Sequence, residues 1–169
     1  ELDHTNALGF HAPGRFDKII QINTCHLQNN VGNEIRNAVY SYCLEHNLCF
    51  YDLKEHTGYV RNLMLRNTRD GQCMINMSVA QDQPENLLPL MDFINKKFQP
   101  YSLNYTINTK LNDSIYDLDF INYAGEKVIH EELCGLTFQI SPKSFFQTNT
   151  VQAEKLYQTA LDFAEITKE

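Results

Sequence analysis

The chemistry-bearing residues of this chain concentrate near its C-terminal end, in Ser141-Pro-Lys-Ser-Phe-Phe-Gln-Thr-Asn149. The loop is polar, yet it carries Phe145, Phe146 and Gln147. A ring in such a place has two uses. It plugs the seam between neighbouring elements, or it stacks on a nucleobase drawn out of its helix. A Gln amide offers a donor and an acceptor side by side, which suits a base edge or a cofactor.

Other candidates are less concentrated. Cys25-His26 reads either as a metal or nucleophile pair or as a strand-end thiol beside a surface imidazole. His46-x-x-Cys49 reads as helix-end and turn residues. Arg61, Arg66 and Arg69 sit on and beside a hairpin, as solvated charges or as phosphate contacts that position RNA without reading its sequence. The motifs of a complete nucleotide-binding domain are missing: there is no G-x-G-x-x-G, and the last glycine is Gly135. Neither a G-x-S-x-G elbow nor an H-E-x-x-H zinc helix occurs.

Elements must position these groups. Leu8 to His11 and Lys18 to Ile22 flank Ala12-Pro-Gly-Arg15 as a hairpin. Asn30 to His46 has helical spacing, with Val31, Ile35, Ala38, Val39 and Tyr42 on one face. Val60 to Thr68 and Cys73 to Val79 flank Arg69-Asp-Gly-Gln72, where Gly supplies the positive φ that a tight hairpin turn requires. A second helix opens at Asp82-Gln-Pro-Glu85, with Asp82 as its cap, and buries Leu87, Leu88, Met91, Ile94 and Phe98. Leu103, Tyr105 and Ile107 mark a half-buried strand. Ile115 to Tyr123 and Lys127 to Leu133 follow as strands. Leu136, Phe138 and Ile140 alternate into Ser141-Pro142, and Thr150 to Phe163 closes as a helix with Val151, Leu156, Tyr157, Ala160 and Leu161 inward. This order predicts an α+β fold, a mostly antiparallel sheet with flanking helices.

Composition narrows the function. With 14 Lys and Arg against 21 Asp and Glu, the net charge of −7 argues against strong autonomous nucleic-acid binding. A chain of 169 residues buries roughly 70% of its unfolded surface, enough for a real core. No run of 18 apolar residues and no signal-peptide pattern is present, so a soluble protein with no membrane partner is expected. The five cysteines, Cys25, Cys43, Cys49, Cys73 and Cys134, are odd in number and form no C-x-x-C, which favours a reducing, cytoplasmic setting over a disulfide framework. The start at Glu1 without Met fits a trimmed or processed piece.

The Ser-Pro-x-x-Phe-x-Gln-x-Asn segment resembles the entrance to the catalytic domain of the RNA uracil-5-methyltransferases. Leu8-Gly-Phe10 with Asp17-Lys-Ile-Ile20 and Cys25 is similar to the opening of that family's central domain. Tyr59-Val-Arg-Asn62 through Gln72-Cys-Met-Ile75 is similar to its next hairpin. The resemblance implies that residues 1–144 are the central, substrate-side α+β domain. Residues 145–169 then start a truncated S-adenosylmethionine-dependent methyltransferase domain. It implies Gln147 as a contact to S-adenosylmethionine and Phe145 as an aromatic at the base pocket; Arg66 and Arg69, read from the hairpin itself, are the further substrate contacts expected. Cys25 falls where iron–sulfur members place the fourth ligand of a 4Fe-4S cluster. The other three would come from a C-x5-C-x2-C loop nearer the N-terminus, which this chain lacks. The implied reaction is attack of a Cys thiolate on uracil C6, methyl transfer to C5 and loss of the C5 proton.

No cysteine here matches the nucleophile's context, so no catalytic residue is expected in the chain and the piece alone is inert. The expected substrate of the parent is ribosomal RNA, 23S RNA before transfer RNA. The rival reading is a self-contained acidic module that binds another protein.

Overall fold

Alternation in Cys73-Met-Ile-Asn-Met-Ser-Val79 sets the centre of the fold, because a period of two sends odd and even residues to opposite faces of a strand. The structure, a computed structural model, describes residues 7–165. In chain order the elements are β1 (Gly9–His11), β2 (Ile19–Gln21), α1 (Asn30–Glu45), β3 (Val60–Asn67), β4 (Cys73–Val79) and α2 (Pro84–Phe98). They continue with β5 (Ser102–Ile107), β6 (Ile121–Gly125), β7 (Ile129–Leu133), β8 (Leu136–Ile140) and α3 (Thr150–Ala164). The main sheet has the order β3-β4-β5-β6; β1-β2 and β7-β8 form separate two-stranded sheets.

The α+β expectation holds, and so does a mostly antiparallel sheet, with one parallel pair, β4 on β5. A parallel neighbour requires a crossover, and α2 supplies it. Odd residues of β4 and β5 (Ile75, Met77, Val79 and Leu103) pack under α1 and α2, against Ile35, Val39 and Cys43 and against Leu87, Leu90, Met91 and Ile94.

Several local expectations are corrected. Val31 is 47% exposed, while Asn33 and Arg36 are buried in its stead. The first turns of α1 face the 23–28 segment, whose carbonyls these two side chains bind. On α2, Leu88 is exposed and Leu90 buried. The cap of α2 is Gln83, whose side chain accepts from the Asn86 side chain and from no backbone N–H of the first turn among the described residues, and Pro84 takes the first helical position. Residues 115–120 form a turn held by Leu118 N–H donating to the Ile115 carbonyl, so β6 starts only at Ile121.

β5 is buried on both faces rather than half-buried. Its even residues Ser102, Asn104 and Thr106 are covered as fully as Leu103. Asn104 Nδ2 donates to Asn76 Oδ1 at 3.0 Å and to Ser102 Oγ at 2.9 Å, and Asn122 Nδ2 donates to Asn104 Oδ1 at 3.0 Å. These bonds compensate the desolvation of the polar face. The 108–120 segment lies over it, with Thr106 Oγ1 donating to the Asp119 carbonyl at 2.8 Å.

Candidate functional site

The loop after β8 is tied down at both ends. At its start, Ser144 N–H donates to the Ser141 carbonyl at 3.1 Å, Ser141 N–H donates to Ser144 Oγ at 3.0 Å, and the two hydroxyls lie 2.9 Å apart. This closes a turn around the buried Pro142. At its end, Asn149 caps α3, its Oδ1 accepting from Gln152 N–H at 3.0 Å. Between these anchors the two rings part. Phe146 packs on Met74, Ile129 and Ile140, its centroid 5.8 Å from that of Phe138. Phe145 is 81% exposed. The seam plug is therefore Phe146, and Phe145 is presented to solvent. Gln147 is half-buried and has no hydrogen-bond partner among the described residues.

The three arginines divide in the same way. The Arg61 side chain is 1% exposed. Its guanidinium donates to the carbonyls of Asn108 (2.9 Å), Lys110 and Asn112 (3.1 Å), pairs with Asp113 at 2.8 Å and lies 4.0 Å from the Tyr51 ring centre. It organises the 108–113 loop and is not a solvated charge. Arg69, a candidate substrate contact, is held by carboxylates. It pairs with Glu131 at 3.3 Å and Glu154 at 3.0 Å and donates to the Glu132 carbonyl, so most of its donors are engaged inside the chain. The Arg69 pairing also holds the Glu154 carboxyl below the usual carboxylate range. Arg66 differs from both. It donates to the Pro142 carbonyl at 3.3 Å and pairs with no carboxylate among the described residues; its Nε, like that of Arg61, is buried without a partner among them, and desolvation lowers its pKa. An under-partnered cation beside the Phe145–Gln147 loop can take an anion.

Cys25 lies in the segment pinned by α1. Its N–H donates to Asn33 Oδ1 at 2.7 Å, and Asn33 Nδ2 donates back to its carbonyl at 3.1 Å. Arg36 holds the same segment through the Asn23 carbonyl at 3.0 Å and Gln28 at 2.8 Å. No group of three His, Cys, Asp or Glu that could hold a metal occurs among the described residues. One thiol falls short of the four-cysteine set of a 4Fe-4S cluster, so these residues do not make a cluster site by themselves. Burial pushes the Cys43 thiol up to about 12 and Cys73 up to about 11, which makes both poor nucleophiles near neutral pH.

Two residues central to this region escaped the sequence reading, Glu131 and Glu154. Glu131 shares the inward parity of Ile129 and Leu133 on β7 and is 4% exposed. That alternation was a readable sign of a buried carboxylate. Glu154 carried no such sign.

No protein-family model matches the chain. An uncharacterized RNA methyltransferase of Bacteroides thetaiotaomicron is 43% identical over 169 residues, which cover 98% of this chain and 37% of the relative. One from Porphyromonas gingivalis is 42% identical over 163 residues, 95% of this chain and 35% of the relative. The tRNA (uracil(54)-C(5))-methyltransferase of Pyrococcus furiosus is 28% identical over 161 residues, 95% of this chain and 38% of that enzyme. In three dimensions the chain resembles the Pyrococcus abyssi tRNA (uracil-54, C5)-methyltransferase, crystallised with S-adenosyl-L-homocysteine. The TM-score is 0.73 at 22% identity, over 95% of this chain and 38% of that one. The structural likeness gives the fold, α+β, and over nearly its whole length the chain is similar in sequence to proteins named RNA methyltransferases. It spans a little over a third of the length of the curated relatives it matches.

Proposed function

We propose that this chain is the substrate-side portion of an S-adenosylmethionine-dependent enzyme that methylates uracil C5 in RNA. On this reading residues 1–144 form the central domain and 145–169 open the cofactor domain. The observation that carries it is the Ser-Pro-x-x-Phe-x-Gln-x-Asn loop, which leaves Phe145 and Gln147 unspent while Ser141, Ser144, Phe146 and Asn149 around them are anchored. S-adenosylmethionine supplies the methyl group when bound. Phe145 stacks on the extruded base, Gln147 contacts base or cofactor through its free amide, and Arg66 receives a phosphate. Ribosomal RNA, 23S in particular, is the proposed substrate, with transfer RNA the alternative. The setting is cytoplasmic, and Cys25 contributes one ligand if the whole enzyme holds a cluster. The chain alone binds nucleic acid weakly and does not turn over.

The test uses the protein encoded by the reading frame that contains this chain, with labelled S-adenosylmethionine and 23S or transfer RNA. Gln147→Ala and Phe145→Ala should each lower methyl transfer at least about tenfold, in line with a stacked base worth about 1–3 kcal/mol, and both should melt as wild type does. Unchanged turnover in both variants overturns the site assignment. The exposed apolar residues of α3, Leu156 at 60% and Leu161 at 50%, also suit an acidic module that binds another protein. Absence of methyl transfer from the whole protein, with capture of a protein partner by α3, would favour that reading.

A further inference from the structure

The catalytic reading leaves Arg69 without a role, although it sits at the most connected polar cluster of the seam. Its backbone N–H donates to Glu131 Oε2 at 3.0 Å and its Nε to Glu131 Oε1 at 3.3 Å. Its two terminal nitrogens reach the two oxygens of Glu154 at 3.0 and 3.1 Å. Glu154 Oε1 also accepts from Cys134 N–H at 3.2 Å, and Glu131 Oε2 from Thr150 Oγ1 at 3.5 Å. One guanidinium thereby joins the β3–β4 turn, strand β7, the β7–β8 turn and the first turns of α3.

This joint has little apolar help. Of α3, only Thr150 and Ala153 are buried, and the face expected to turn inward, Val151, Leu156, Tyr157, Ala160 and Leu161, is exposed. Apolar contacts this sparse hold a helix near a surface without fixing its rotation. A bidentate arginine–carboxylate pair fixes direction as well as distance. Gln147 lies two residues before Asn149, the cap of α3, so rotation of the first helical turn carries Gln147 with it.

We infer that Arg69, Glu131 and Glu154 form an ionic clip that positions the Phe145–Gln147 loop. They are positioning residues: the side chains that meet the substrate are others. What the clip serves rests on the RNA methyltransferase reading; the clip itself does not.

Hydrogen exchange on this chain tests the clip directly. Glu154→Gln leaves Glu131 paired with Arg69 and opens only the helix arm, so it stays informative even where Arg69→Ala fails to fold. Glu154→Gln should speed amide exchange about tenfold or more across residues 144–165 and leave β4 and α2 unchanged. Exchange that rises everywhere, or nowhere, overturns the clip. In the whole enzyme Glu154→Gln should lower kcat about tenfold with KM for RNA within about twofold, and Arg69→Lys should recover part of the activity lost in Arg69→Ala. Arg69→Ala should leave the salt dependence of RNA binding unchanged. A slope shallower by about one would make Arg69 a phosphate contact and end the positioning role. A wild type without methyl transfer would sink the functional reading, and the exchange result would still decide the clip.

Discussion

The sheet with α1 and α2 and the strand–loop–helix segment after β6 are held by different means. In the first region, Ile35, Val39, Ile75, Met77, Leu90, Met91 and Ile94 are all at 0% exposure, and cohesion comes from close packing. In the second, the apolar anchor is the small cluster of Met74, Ile129, Ile140 and Phe146, and most of the joint is polar. Packing gives stability without regard to exact direction, whereas charged, bidentate bonds give direction with little net stability. The region proposed to face substrate is the one built for direction.

The contrast can be broken by mutation, and the largest effect belongs to the packed region. Ile75→Ala should cost roughly 4 kcal/mol, transfer plus cavity, read from urea melting. A loss under about 1 kcal/mol would show that the core is looser than its burial implies. Arg61→Ala comes next, at about 3 kcal/mol, because it strips three loop carbonyls and Asp113 of their common donor. Phe146→Ala should cost about 2 kcal/mol, less than a full core ring because Phe146 is only partly buried. Its neighbour Phe145→Ala should stay within about 0.5 kcal/mol. Equal melting of those two variants would erase the distinction between plug and presented ring.

A smaller, local effect is expected in acid. Arg69 holds the Glu154 carboxyl below its ordinary value of 4.5. Its contribution is therefore complete above that value and is lost as pH falls through the lower folded value. Amide exchange in α3 should rise over that window while β4 stays protected, and Glu154→Gln should abolish the pH dependence. The smallest effect is chemical. Cys49 and Cys134 are exposed and should react with a thiol reagent in the native state, whereas Cys43 and Cys73 should react only on unfolding. Rapid native labelling at Cys43 would again point to a loose core.

The elements themselves were largely legible in the chain. Periodicity placed α1, α2, α3, β3, β4 and β8 close to where they lie, because local spacing decides which residues share a face. The Asp70-Gly71 turn was readable too: Gly71 stands at φ +90°, a conformation that the side chains of other residues disfavour. So was the Ser141–Asn149 segment, since its residue types are unusual for a loop. Three things were settled only in three dimensions. The parallel pairing of β4 and β5 depends on which edge α2 returns the chain to. The buried Asn76–Asn104–Asn122 face depends on a later loop folding over it. The division of labour among Arg61, Arg66 and Arg69 depends on partners 47 to 85 residues away. Local sequence sets a residue's face and chemistry, while the number of its donors already spent is set by what the rest of the chain brings to it.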